Sequence, residues 1–390
     1  MKICAIICEF NPFHNGHKYL LERARELSRC DVLLCMMSGS FTQRGDICVM
    51  DRHTRARHAL LCGADAVLEL PAAFSVTPAE IFSQGAIKLL NSIPDTHTLA
   101  YGCEADGYVD FSAAAEKLLN ESETFKKVLN DGLESGQSYI KCYAKAFEKD
   151  GGEAGLLDKP NNILAVEYAK AIIKLNSKIK PLPIKRVGAD FNDNELKDNF
   201  SSASAIRSNP LSSLIKENLP DCVYEDFKDF TTETDKYKEF AKLILTRTSA
   251  KDLKKVFGCG EGLENRLKSL EELTYDEIIA NATGRRYSSS RIKRILCANF
   301  LKIYAEDCFK YLDYPLYLKP LAIKKRNADI ILSALSQSDN PLILKGRDRE
   351  KLSKTAKKCL ETDDFTHLQR QVIAGSATKT NENDEILYFN

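Results

Sequence analysis

Ile3-Cys4-Ala5-Ile6-Ile7-Cys8-Glu9-Phe10-Asn11-Pro12-Phe13-His14-Asn15-Gly16-His17 is an apolar run that ends in an acid and gives way to two histidines flanking a glycine. The segment Lys2 to Glu9 reads as a buried strand. Lys18 to Leu27 has helical spacing, with Leu20, Leu21, Ala24 and Leu27 on one side. The residues between them turn from the carboxyl end of a strand into the start of a helix. In a parallel sheet this is where free helix N–H groups and the helix dipole favour an anion. His14 and His17 are three apart, so one helical turn puts both imidazoles on the same side. Gly16 lets a ligand approach the backbone closely. Two imidazole donors at such a place suit charge developing on a phosphate. From the residues alone, a metal pair or two unrelated surface histidines are the alternatives.

The same alternation continues outward. Asp31 to Met37 and Ala66 to Leu70 read as further strands, the second ended by Pro71, and Thr98 to Tyr101 as a fourth, closed by Gly102. Helices are expected from the N-cap Asp51 to the stop signal Gly63, and from Pro78 to Leu90. Nearly continuous apolar strands between helices indicate a parallel sheet covered on both faces. Residues 108–158 read as a helical insertion. The α/β pattern then returns as helix Asn162 to Leu175 and strand Leu182 to Val187. A serine-rich stretch, Ser201 to Arg207, precedes a mainly helical second half, with strands expected at Leu316 to Ile323 and Leu342 to Leu344. The fold class is therefore α/β: a Rossmann-like parallel-sheet domain over 1–210, carrying the insertion, and a mainly helical α+β domain over 211–390. The polar stretch Ser376 to Glu385 is the one low-complexity segment.

At 390 residues the chain is too long for one compact core, and its 44% hydrophobic and 28% charged residues are those of a globular protein. That excludes a disordered chain, a collagen-like one and a coiled-coil rod. No run approaches the roughly 18 apolar residues of a membrane span, and the first residues read as a strand rather than a signal peptide. The net charge of +1 excludes a globally basic nucleic-acid binder and leaves room for a local basic patch. The 13 cysteines form no CxxC pair, and several sit in strand-like runs. They read as buried free thiols in a reducing cytoplasm, with no spacing that fits a metal site.

The strand–HxGH–helix arrangement resembles the HIGH-motif nucleotidyltransferases. The longer string from Glu9 to His17 looks like the bacterial tRNA(Met) cytidine acetate ligase family. Met37 to Gly45, Leu68-Glu69-Leu70-Pro71, Tyr101-Gly102-Cys103-Glu104, Lys159 to Leu164 and Ser202 to Arg207 agree with it. Beyond residue 210 the likeness is carried chiefly by Glu261 to Arg266 and Arg285 to Arg291. The resemblance implies a cytoplasmic ligase. Acetate and ATP, the latter expected with Mg²⁺, form acetyl-adenylate; the acetyl group then passes to N4 of the wobble cytidine of elongator tRNA(Met). No resident metal, membrane or obligate protein partner is implied.

On that resemblance His14 and His17 hold the α-phosphate and its transition state. The backbone run Ile7, Cys8, Glu9, Phe10, Asn11, Pro12, Phe13, Asn15, Gly16, Lys18, Tyr19 and Leu20 cradles the ATP. Gly102 lies where a side chain would meet the nucleotide, or marks a simple turn. Asn161 and Asn162 contact the ribose or base, or cap their helix. Arg186 pairs with phosphate. Ser202, Ser204 and Arg207 resemble the second motif of these enzymes and hold the β- and γ-phosphates, though a serine-rich turn is otherwise just an N-cap. Gln43 and Arg44 are expected near an acetate or cytidine pocket. Arg52, Arg55 and Arg57 crowd one helix and either meet tRNA phosphates or form a solvated face.

A neutral tRNA binder must concentrate its charge. Gly284 to Arg294 holds five basic residues, Arg285, Arg286, Arg291, Lys293 and Arg294, no acid, and in Tyr287 an aromatic ring for stacking. Lys324 to Arg326 and the Lys345 to Lys358 region add charge. The rivals are a HIGH-type nucleotidyltransferase with another acceptor, and a non-catalytic ATP- or RNA-binding protein.

Overall fold

The computed structural model of the chain describes residues 1–105, 109–187, 196, 199–228, 233–375 and 386–389. Seven strands form one sheet in the order β5-β4-β1-β2-β3-β6-β7. They are β1 (Ile3–Cys8), β2 (Val32–Ser38), β3 (Ala66–Leu70), β4 (Thr96–Cys103), β5 (Lys180–Lys185), β6 (Pro320–Lys324) and β7 (Leu387–Phe389). The first five in the chain are parallel, with β1 central: Ile3 pairs with Val32 in β2 and with Thr96 in β4.

Side chains alternate across a strand, and here both sets are apolar. Ile3, Ala5, Ile7, Val32, Leu34 and Met36 enter one core; Cys4, Ile6, Cys8, Leu33, Cys35 and Met37 enter the other. The second core is covered by α1 (Asn15–Ser28) and α2 (Arg52–Leu61), through Leu21, Ala24, Ala56, Ala59 and Leu60. The first is covered by the helices Ala79–Asn91 and Pro160–Lys174 and by the insertion. That insertion is helical, as expected: Phe111–Leu119, Glu123–Glu134 and Tyr139–Lys149.

The chain's second half departs from expectation in two ways. β6 pairs antiparallel with β3 (Ala66 opposite Ile323), and β7 pairs parallel with β6, so the sheet is not parallel throughout. The apolar cluster that holds Ile3 also holds Leu245, Ile292, Phe300 and Tyr317, so the core continues across residue 210. Leu342 to Leu344 makes a single bridge, Leu318 to Leu342, rather than a strand. Pro320 starts β6, a place on a strand that tolerates a missing N–H. Ser376 to Glu385 lies outside the described residues.

All thirteen cysteines are unpaired, eleven of them buried. Among the described residues no helix is long and apolar enough to cross a membrane.

Candidate active site

The carboxyl end of β1 is built around one cation. Arg55, wholly buried on α2, donates to the carbonyls of Met50 (3.1 Å), Glu9 (2.6 Å), Ser38 (3.1 Å) and Gly39. Those carbonyls close β1, end β2 and start the loop after it. α2 begins at Asp51, whose carboxylate accepts from the N–H groups of His53 and Thr54. Arg52 is buried against Glu69 at 3.6 Å, and Arg57 pairs with Asp226. Arg52 and Arg55 are therefore buried in the fold rather than on a solvated face, and Arg55 pins the corner at the end of β1.

His14 and His17 turn out to be a helix cap. His14 is the N-cap of α1, and its Nδ1 accepts from the N–H of Gly16 at 3.1 Å. His17 Nδ1 accepts in return from the N–H of His14 at 3.3 Å. This is a capping box made of imidazoles. A neutral ring whose Nδ1 accepts carries its proton on Nε2, so both rings have an Nε2–H left to give. Both are held neutral. Burial drives His14 well below the ordinary histidine range, helped by the charges of His17, Arg186 and Arg207. Burial, then Arg186, brings His17 down to about 3. The ring centres are 3.8 Å apart, and Phe10 packs edge-on against His17 at 4.9 Å. A Cβ on Gly16 would lie 2.9 Å from His14 Cε1, so the glycine makes room for the ring itself.

Both histidines line a cavity of about 730 Å³, within the roughly 300–1,000 Å³ typical of ligand sites. Of the run from the end of β1 into α1, Ile7, Cys8, Glu9, Phe10, Asn11, Gly16, Tyr19 and Leu20 also line it. Pro12, Phe13, Asn15 and Lys18 do not: Phe13 is a core residue, Lys18 faces solvent, and the Asn15 amide donates to the carbonyls of Asn199 and Glu217.

Gly102 lies within β4 rather than in a turn, and a Cβ there would sit 3.2 Å from Arg186 Cγ. Arg186 follows β5 and is held by its N–H to the Cys103 carbonyl at 3.0 Å. Ser202 caps the helix Ala203–Ser208, accepting from Ala205 N–H at 3.0 Å. Arg207 on that helix reaches the Asn11 carbonyl at 2.6 Å and Ser204 Oγ at 3.3 Å. Gly102, Arg186, Ser202, Ser204 and Arg207 all line the cavity.

Asn161 and Asn162 divide. Neither caps the helix they begin. Asn162 is 3% exposed, and its Oδ1 accepts from Glu104 N–H at 2.8 Å, so it fixes the end of β4. Asn161 lines the cavity and donates from Nδ2 to Glu104 at 2.9 Å. Glu104 also accepts from the Asn161 N–H. That carboxylate is the helix's cap, and it lies 57 residues away in sequence, which no local pattern reveals.

Glu9 faces the cavity with Oε1 on the Gln43 N–H at 2.5 Å; burial raises its pKa against the pull of that bond and of Arg44, Arg207 and Arg55. The cavity also has a wall that the motifs do not supply. Tyr139 and Tyr143 of the insertion stack at 5.5 Å there.

The basic cluster is less basic in space than in sequence. Glu261 stands 3.7 Å from both Arg286 and Arg291. Tyr287 is 7% exposed, so it offers no face to a base; its hydroxyl donates to the Glu261 carbonyl, and Arg286 and Arg291 lie over its ring. Arg285 is exposed and Lys293 pairs with Asp46 at 3.4 Å. Arg294 does not face outward with the others but lines the cavity. Among the described residues no group of three or more His, Cys, Asp or Glu side chains is placed to hold a metal ion.

Comparison with known proteins agrees with this geometry. The sequence model of the HIGH Nucleotidyl Transferase family matches residues 1–384. The chain is 35% identical over 351 residues to a tRNA(Met) cytidine acetate ligase of Clostridium botulinum (strain Langeland), covering 85% of this chain and 86% of that one. It is 34% identical over 378 residues to the enzyme of that name from Thermoanaerobacter sp. (strain X514), covering 94% of each. The crystal structure of apo Thermotoga maritima TmcAL superposes with a TM-score of 0.91 at 26% identity, over 100% of both chains. The same protein bound with alpha-thio ATP superposes at 0.88.

Proposed function

This chain belongs to the HIGH nucleotidyl transferase family, and from that premise we propose that it is a tRNA(Met) cytidine acetate ligase. ATP is the activating substrate. An acetate oxygen attacks the α-phosphorus, the bond to the β-phosphate oxygen breaks, and pyrophosphate leaves. The N4 amine of the wobble cytidine then attacks the acetyl carbonyl, AMP leaves, and the amine loses a proton.

The observation that carries the reading is the imidazole capping box. A carboxylate attacking a polyphosphate is a weak nucleophile meeting concentrated negative charge. Its catalysis consists of positioning and charge stabilisation more than proton transfer. Two neutral imidazoles, each with Nδ1 fixed by a backbone N–H, offer two Nε2 donors without rearrangement. They suit the α-phosphate oxygens as charge builds on them. Arg186 stands on the β5 side and Arg207 on the other. With Ser202 and Ser204 they serve the remaining phosphates, and Gly102 leaves room for Arg186 to lie across β4. Cys8, Glu9, Phe10 and Asn11 shape the floor. Mg²⁺ would accompany the nucleotide. Arg285, Arg286 and Arg291 meet the RNA backbone.

Isotope exchange between ATP and pyrophosphate tests the first step. Exchange that requires acetate and proceeds without RNA supports acetyl-adenylate formation. Exchange without acetate, or none at all, contradicts it.

A further inference from the structure

Arg44 and Arg294 both line the cavity although one follows β2 and the other lies on the helix Ser289–Leu301, in the other half of the chain. The seam between those segments is tightly built. Gly45 has a φ of +82°, and a Cβ there would come within 2.6 Å of the Lys293 carbonyl. Tyr237 donates from its hydroxyl to the Gly45 carbonyl at 2.8 Å, and Lys293 pairs with Asp46. Backbone packing thus holds the segments that carry the two arginines together.

That closeness is unfavourable as it stands. Burial lowers the pKa of Arg294 to about 10, and the charges that act on it, Arg291 and Arg44, both push it further down. Among the described residues no carboxylate pairs with Arg294. Arg44 feels the carboxylates of Glu9, Asp46 and Glu104, and also Arg207. A desolvated cation among cations is costly unless an anion joins it.

We propose that Arg44 and Arg294 form a phosphodiester subsite that holds the acceptor RNA's backbone beside its target nucleotide. The proposal rests on the RNA-acylating function above. The order of the charges selects the ligand. Arg207, Arg44 and Arg294 all line the cavity, and Arg291, one turn before Arg294 on the same helix, continues the row into the basic cluster. The row begins beside the catalytic histidines and ends at Arg291 in the basic cluster. A single carboxylate needs one such group, and ATP's phosphates already have Arg186 and Arg207. A row that continues outward fits a polyanion entering from the surface. A guanidinium fork also matches a phosphodiester in two parallel hydrogen bonds. With the backbone gripped at Arg44 and Arg294, an unstacked base points inward to the acyl-adenylate, as single-stranded loops present their bases.

The test is Arg294→Gln in the full chain, with Arg294→Lys beside it. Removing an unpaired cation leaves no orphaned acid, so the fold should hold. Acetate-dependent pyrophosphate exchange is expected to stay within threefold of wild type. Acetyl transfer should lose tenfold or more in kcat/KM for tRNA, mostly through KM. The salt slope of that parameter should shrink by roughly 0.7–0.9, the share of one phosphate contact. Arg294→Lys should recover the salt slope and only part of the affinity. Loss of exchange in both variants would overturn the proposal, assigning the pair to the nucleotide or acetate. Unchanged transfer and an unchanged slope would overturn it as well. If wild type acetylates no tRNA, the function fails separately. Binding of a labelled anticodon stem-loop then still decides the subsite: weakened by Arg294→Gln it stands, and indifferent it falls.

Discussion

The β1–α1 corner and the Gly284–Arg294 cluster both stand out in the sequence by composition, and the structure treats them in opposite ways. In the corner, local spacing survives intact. His14, Gly16 and His17 cap their own helix, so three-residue spacing alone dictates the geometry. In the cluster, a run of five basic residues without an acid acquires Glu261 from elsewhere, buries Tyr287 beneath two arginines, and turns Arg294 into another site. A motif whose hydrogen bonds close within one turn can be read from sequence. A charge patch cannot, because its strength depends on what the fold brings beside it.

The sharpest way to break this contrast is at His17. His17→Ala should slow acetate-dependent pyrophosphate exchange by roughly a hundredfold or more, the cost of losing one preorganised donor. Exchange within threefold of wild type would remove the imidazole pair from the mechanism. His14→Asn sharpens the point, since asparagine keeps a cap acceptor while losing the Nε2 donor. Exchange should fall as far, while urea-denaturation stability stays within about 1 kcal/mol, the worth of a cap.

Next in size is Arg55→Met. It leaves four backbone carbonyls without their donor, at about 1–3 kcal/mol for each group that stays dry. A loss of about 3 kcal/mol or more is expected in urea denaturation. Unchanged stability would show that the corner does not depend on this pin.

A smaller effect concerns pH. Both histidines have depressed pKa values, so the unfolded chain binds their protons more readily than the folded one. Their contribution is fully present above about 6.5 and is lost as pH falls toward 3, the value for His17. Stability of wild type should therefore fall in that window more steeply than that of His17→Asn. Equal slopes would mean the ring is not held neutral. Least of all, Arg285→Gln with Arg286→Gln should raise KM for tRNA roughly threefold to tenfold, less at high salt. Both residues are exposed, and Arg286 is already answered by Glu261.

Much of the fold was legible in the sequence. β1 to β4 lie within two residues of their expected ends at every terminus, because strands buried on both faces are apolar without interruption. β6 and β7 were not legible as parts of the same sheet: they are short, β6 joins β3 from more than 250 residues away in sequence, and β7 joins β6. In the site, His14, His17, Gly102, Arg186, Ser202, Ser204 and Arg207 converge on one cavity. Asn162, Pro12, Phe13, Asn15 and Lys18 belong instead to its supports or its surface. The roles of Glu104 and Arg55 were not legible, since each works through backbone groups that only the fold brings near.

The central claim is that acetate, activated by ATP in this cavity, ends on a tRNA cytidine. It is tested most directly by incubating the protein with radiolabelled acetate, ATP, Mg²⁺ and elongator tRNA(Met), without acetyl-CoA, and analysing the tRNA's nucleosides. The account predicts label in N4-acetylcytidine at the wobble position, dependent on ATP and abolished by His17→Ala. Label absent from the tRNA while acetate-dependent exchange proceeds would contradict it.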